Sequence, residues 1–150
     1  MRVWEAKMQY SLLSMGDPRC IDSPQDAVDY LADAFDEDPT VEWFFAILLD
    51  QKNHPIGRQV VSRGIANSAL VHPREVFKAA IIAGATGVIV GHNHPSGDPA
   101  PSSADISITR KLREAGALLD IPVRDHVIVG HREADPLGVG FYSFHNAGLL

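Results

Sequence analysis

The apolar positions of the chain change period several times, and each change marks an element. In VWEAKMQYSL, Trp4, Ala6, Met8, Tyr10 and Leu12 alternate with Glu5, Lys7, Gln9 and Ser11. A period of two predicts a half-buried strand over about residues 3–12, which MGDP then breaks. Ser23 followed by Pro24 pairs an N-cap with a first-turn proline, and Val28, Leu31, Ala32 and Phe35 share one helical face. A helix from about 24 to 36, ended by DEDP, follows from that spacing. VEWFFAILLD (Val41–Asp50) is apolar almost throughout and rich in β-formers, as a strand buried on both faces must be. QKNHPIG reads as a turn and RQVVSRG as its antiparallel partner. After His72 and Pro73, the residues Val76, Phe77, Ala80, Ile81 and Gly84 keep helical spacing until the glycines of AGATG stop it. GVIVG (Gly87–Gly91) is a short buried strand that delivers His92. A further helix is expected from about 103 to 118, with Ala104, Ile108, Leu112, Ala115 and Leu119 on one side. IPVRDHVIVG and GVGFYSF then read as two closing strands joined by the polar loop HREADPL. The pattern predicts an α/β fold, a mixed sheet flanked by helices, in one domain over residues 1–150.

Composition narrows the picture. A chain of 150 residues that is 45% hydrophobic and 21% charged buries a core of its own, and neither a repeat nor an interdomain linker interrupts it. No apolar run approaches the roughly 18 residues that span a bilayer, and the start MRVWEAKMQY lacks the apolar centre of a signal peptide. The cytoplasm is therefore the expected compartment. Cys20 is the sole cysteine, so the chain has neither an internal disulfide nor a thiolate zinc cluster, and any metal must be held by nitrogen and oxygen. A net charge of −6 argues against a phosphate-binding surface over the whole molecule. The one dense basic stretch, RKLREAG, reads as a solvated helix face.

The candidate chemistry is concentrated in VGHNHPSGDPAPSSAD (Val90–Asp105). His92 and His94, two apart at a strand end, project to the same side because strand side chains alternate, so both imidazoles can converge on one ion. Zinc accepts imidazole and carboxylate ligands at roughly 2.0–2.2 Å, and a catalytic site uses three protein ligands with one position left for water. Asp105 is a plausible third ligand once the Pro/Gly loop turns back, and Asp98 satisfies the spacing too. Ser102 and Asp105 also spell a helix N-cap with an acidic residue three positions on, a purely structural device compatible with the metal reading. His126, beside Asp125 on a predicted strand, reads as a packed, hydrogen-bonded core histidine, and His54, His72, His131 and His145 as turn or end residues. The literal string HNH is not the nuclease motif, whose members are spread over a longer ββα unit. Zinc nucleobase deaminases are excluded because their P-C-x-x-C half needs two cysteines.

Taken whole, HNHPSGDPAPSSAD resembles the JAMM (MPN-plus) signature, His-x-His-Pro, a spacer, then Ser-x-x-Asp, with seven residues between His94 and Ser102. FAILLDQKN, VSRG, LVHPREVFKAAI, GHNHPSGDPAPSSADISITRKL, DHVIVG and FYSF resemble the RadC group of JAMM-like proteins, from about Val3 to Leu150. The resemblance implies a sheet sandwiched by helices, of JAB/MPN or cytidine-deaminase-like architecture. It implies zinc, one per chain, on His92, His94 and Asp105, with Ser102 as oxyanion stabiliser and Glu42, just ahead of the apolar run, as general base. Full-length RadC proteins usually carry an N-terminal helix-hairpin-helix region, which 150 residues leave no room for, so a DNA-repair role is expected to transfer poorly. The expected activity is zinc-dependent hydrolysis of peptide or isopeptide bonds, with a protein or peptide substrate, no membrane and no strong nucleic-acid binding. A metal-stabilised protein-binding module and a DNA-processing accessory protein are the alternatives, in that order.

Overall fold

A computed structural model describes residues 1–12, 19–64 and 71–150. The elements run α1 (Pro24–Tyr30), β1 (Trp43–Leu49), β2 (Pro55–Arg63), α2 (Pro73–Ala83), β3 (Gly87–Asn93), α3 (Ser103–Leu119), β4 (Val123–Val129) and β5 (Phe141–Ser143). The five strands form one mixed sheet in the order β2-β1-β3-β4-β5. β3 and β4 pair in parallel through the α3 crossover, and the remaining neighbours are antiparallel. This is the predicted α/β architecture of JAB/MPN type.

Alternation along the two central strands divides the core. Phe44, Ala46, Leu48, Val88 and Val90 face α2 and α3, where Val76, Phe77, Ala80, Ile108 and Leu112 meet them. Phe45, Ile47, Leu49 and Ile89 face the other way, onto Ala27 and Leu31 with Ala34 and Phe35. Both faces being covered explains why β1 and β3 read as nearly unbroken apolar runs.

Two expectations need correction. Residues 1–12 form no strand: Trp4 is 79% and Leu12 79% exposed, and only Met8 packs against the core. Alternation makes a strand only where a neighbouring strand takes up its backbone groups, and none lies beside this segment among the described residues. The expected MGDP break (15–18) lies outside the described residues. The first helix also stops at Tyr30 rather than near 36. Arg58 donates to the Tyr30 carbonyl and forks onto the Asp33 carboxylate, while the Ala34 N–H turns to Leu31 instead. Residues 31–37 continue as turns that still bury Leu31, Ala34 and Phe35.

Candidate metal centre

His92 lies within β3 and His94 just past its end, where the His94 N–H still bonds to the Val129 carbonyl of β4. The ladder thus holds both histidine backbones, and alternation turns both rings toward α3. The antiparallel register pairs Phe44 with His92, so Glu42, two residues earlier, faces the same side opposite His94. Its carbonyl accepts from Gly64, extending the β1–β2 ladder by one step. The loop after His94 returns through Gly97, whose φ of 87° suits glycine, and the Gly97 N–H closes on the His94 carbonyl. α3 then opens with a capping box: Ser102 Oγ accepts from the Asp105 N–H, and Asp105 Oδ2 accepts from the Ser102 N–H at 2.8 Å. The helix N-terminus therefore delivers Asp105 to the histidines and favours its charge.

The ligand-type atoms of His92, His94 and Asp105 all lie within 4.8 Å of one another. His92 Nε2 and His94 Nε2 are 3.1 Å apart. They lie 3.3 and 3.4 Å from the Asp105 carboxylate oxygens, and Glu42 Oε1 is 3.8 Å from His92 Nε2. His94 Nδ1 faces the Asp98 carbonyl at 2.8 Å. A carbonyl only accepts, so that nitrogen carries the proton and Nε2 offers a lone pair. Ligands held about 2.0–2.1 Å from a tetrahedral ion stand roughly 3.3 Å from each other, which matches the spacing here. The donor set fits a divalent cation.

Electrostatics follow from the same packing. Burial raises the Glu42 pKa above its usual value, helped by the Asp105 charge and opposed by His92 and His94. Burial pulls His94 down, but hydrogen bonds to Asp105 and the Asp98 carbonyl, with the Asp105 and Glu42 charges, carry it above 6.5. His126 is fully buried, which holds its imidazole well below 6.5 and hence neutral, the neighbouring His92 acting in the same direction.

Of the spacing-compatible carboxylates, Asp105 stands in the cluster; Asp98 instead accepts the Ala100 N–H and lends its main-chain carbonyl to His94. Ser102 is exposed at the rim, one capping hydrogen bond from Asp105. His126 is packed as expected, yet it also bonds His92 through Nε2 and Thr109 through Nδ1. Asn93 went unnoticed in the sequence: its amide accepts from the Trp43 N–H and donates to the Val41 carbonyl, gripping the backbone on either side of Glu42. Its role depends on the register between β1 and β3, which residue spacing alone does not carry.

A mixed sheet between helices, with two strand-end histidines and a helix-capping aspartate converging beside it, defines an α/β domain of the JAB/MPN class with a site able to hold a metal ion. The chain belongs to the RadC-like JAB domain family, which it matches over residues 21–149. It is similar to a UPF0758 protein of Geobacter sulfurreducens, 47% identical over 128 residues that cover 85% of this chain and 52% of that protein. A UPF0758 protein of Caldanaerobacter subterraneus subsp. tengcongensis is 42% identical over 134 residues, 89% of this chain and 57% of the relative. One from Symbiobacterium thermophilum is 49% identical over 111 residues, 74% and 44% respectively. The chain thus spans about half the length of the curated relatives it matches. Among the described residues no helix is long and apolar enough to cross a membrane.

Proposed function

We propose that the protein is a zinc-dependent hydrolase of peptide or isopeptide bonds, acting on a protein or peptide substrate. The observation that carries this reading is the convergence of His92 Nε2, His94 Nε2 and the Asp105 carboxylate, with the Glu42 carboxylate alongside. His92, His94 and Asp105 would hold the ion, which when bound supplies a Lewis acid and a water whose pKa falls from 15.7 to about 7. Glu42 takes the proton of the attacking water and returns it to the leaving amine nitrogen. Its burial favours that role, because a base whose pKa is lifted toward neutrality accepts and releases a proton with less loss. The Ser102 oxygen already accepts from the Asp105 N–H, so its own hydroxyl proton is available for the oxyanion that forms at the scissile carbonyl.

Elemental analysis of untagged protein, beside His94→Ala and Asp105→Ala, tests the metal. About one zinc per chain is expected, lost in both variants. Hydrolysis is tested with a fluorogenic peptide library and an isopeptide-linked pair. Glu42→Gln should keep zinc yet lose roughly 10²–10⁴-fold in rate; an unchanged rate would remove Glu42 as the base. A second reading, a protein-binding module that keeps its metal for stability, draws on β2, an outermost strand that exposes Ile56 and Val60. It predicts a bound partner that is never cleaved, with Glu42→Gln binding it as the wild type does.

A further inference from the structure

Behind the metal-facing side of His92 runs a chain of three buried polar groups that ends at the helix carrying Asp105. His92 Nδ1 lies 2.8 Å from His126 Nε2, and His126 Nδ1 lies 2.6 Å from Thr109 Oγ1. The same Thr109 oxygen lies 2.6 Å from the Asp105 main-chain carbonyl.

We propose that His126 and Thr109 are positioning residues that lock His92 in its Nδ1–H form and so present its Nε2 lone pair to the metal. The inference rests on the metal-site reading above. The direction of every hydrogen bond follows from counting protons. Thr109 has one hydroxyl proton, and the Asp105 carbonyl can only accept, so the proton points there. His126 Nδ1 must therefore donate to the Thr109 oxygen. A neutral imidazole has a single N–H, which leaves His126 Nε2 as acceptor and His92 Nδ1 as its donor. In the neutral imidazole form that a metal requires, His92 Nε2 is then bare, facing His94 Nε2 and Asp105. The opposite polarity would set two lone pairs against each other between Thr109 and the Asp105 carbonyl, and would point an N–H from His92 into the site.

Packing keeps the chain from relaxing. The His126 ring stacks on Phe144 at 4.7 Å and 9°, and the His92 ring on Phe44 at 5.5 Å and 11°. A bulge supplies the needed facing: β4 pairs Val123 with Val88 and then Asp125 with Ile89, passing over Arg124. That extra residue turns His126 toward α3, where an unbroken strand would have turned it away. One turn of α3 thus presents the Asp105 carboxylate directly and sets the tautomer of His92 through its own backbone carbonyl.

The test uses zinc alone, titrated against a chromophoric chelator, on wild type, His126→Phe, His126→Gln, Thr109→Val and Thr109→Ser. Outer-shell partners of metal-bound histidines are typically worth about 10–100-fold in affinity. His126→Phe, which keeps the aromatic packing, should lose about that much, and the near-isosteric Thr109→Val should show a loss toward the lower end. Gln at 126 and Ser at 109 retain the donor and acceptor roles and should restore affinity to within a few-fold. Histidine ¹⁵N spectra of the metal-free protein should show His92 as the Nδ1–H tautomer in wild type and Thr109→Ser, and not in His126→Phe. If wild type binds zinc while Thr109→Val and a folded His126→Phe bind it equally well, the relay is wrong. His92 as the Nε2–H tautomer, with Nδ1 unprotonated, in the metal-free wild type would overturn it too. Should wild type take up no zinc, the metal-site reading fails, and the tautomer measurement still decides the relay.

Discussion

Asn93 sits between the two site histidines and does the opposite work, turning away from the ion site to bind the chain around the proposed base. Its Oδ1 accepts from Trp43 at 2.8 Å and its Nδ2 donates to Val41 at 3.0 Å, so the peptide groups flanking Glu42 are both pinned to β3. Asn93→Ala would strand those buried groups, and leaving a buried polar group unpaired costs about 1–3 kcal/mol. Urea unfolding is expected to show a loss in that range, while zinc stoichiometry holds because the ligand side chains are untouched. A variant as stable as wild type would mean that the strand pairing holds Glu42 without the amide. The residues of the candidate cluster were legible in the sequence: His92, His94 and Asp105 stand out by type and interval, and Ser102 by its capping position. Asn93, Thr109 and the His92 contact of His126 were not, because each depends on cross-strand register or on the β4 bulge, neither of which leaves a mark on spacing. Glu42 lay between these cases, visible as an acid ahead of an apolar run but placed only by the pairing of Phe44 with His92.

At the scale of elements, the site depends on two loops that touch. The Gly97 carbonyl accepts from the His131 N–H at 2.7 Å, and a Cβ on Gly130 would run into that carbonyl. The turn that brings the chain back from His94 is thus wedged against the end of β4, and glycine at 130 is what lets them meet. Gly130→Ala should displace the 95–99 turn at a cost of about 1–3 kcal/mol, the usual range for overpacking. It should weaken zinc binding as well, since the Asp98 carbonyl that orients His94 moves with the turn. Urea unfolding and a zinc titration on one sample check both; a loss of stability with unaltered affinity would show that the turn and the ligands are uncoupled. The buried strands and the two longer helices were legible because long periodic runs are punctuated by caps: Pro73 opens α2, left-handed Gly84 closes it, and Ser102 caps α3. Residues 3–12 misled because their alternation has no neighbouring strand to pair with, and α1 ended early because Arg58, far along the chain, takes the Tyr30 carbonyl.

Across the whole molecule, two couplings to solution conditions follow. Asp125 is buried, which raises its pKa; hydrogen bonds from Ser143 and from the His145 and His126 amides pull the other way without cancelling the rise. A folded-state pKa above the unfolded value of about 3.9 means that the native state takes up the proton first. The Asp125 contribution to stability is therefore full below that unfolded value and is lost as pH rises through the raised one. Asn at this position can accept the same two amides and donate to Ser143, so wild type should gain on Asp125→Asn as pH falls from about 7 to 4. Urea unfolding of the pair along that pH series reads the difference directly, and a constant gap would show that Asp125 does not titrate differently on folding. The second coupling is to the metal. Without an ion, His92 Nε2 and His94 Nε2 stand 3.1 Å apart beside the Asp105 carboxylate, with Glu42 near, so the fold gathers imidazoles and carboxylates that a divalent cation would bridge. A ligand that binds the folded state alone at a hundred times its Kd adds about 2.7 kcal/mol. For a domain of this size each kcal/mol moves Tm by about 2–4 °C, so saturating zinc should raise Tm by roughly 5–11 °C, reversibly with chelator. Asp105→Ala should abolish the shift, and Glu42→Gln should preserve it because the ligands remain. An equal shift in Asp105→Ala would place the bound zinc at other histidines, and no shift in wild type would mean that these groups are held together by the fold alone.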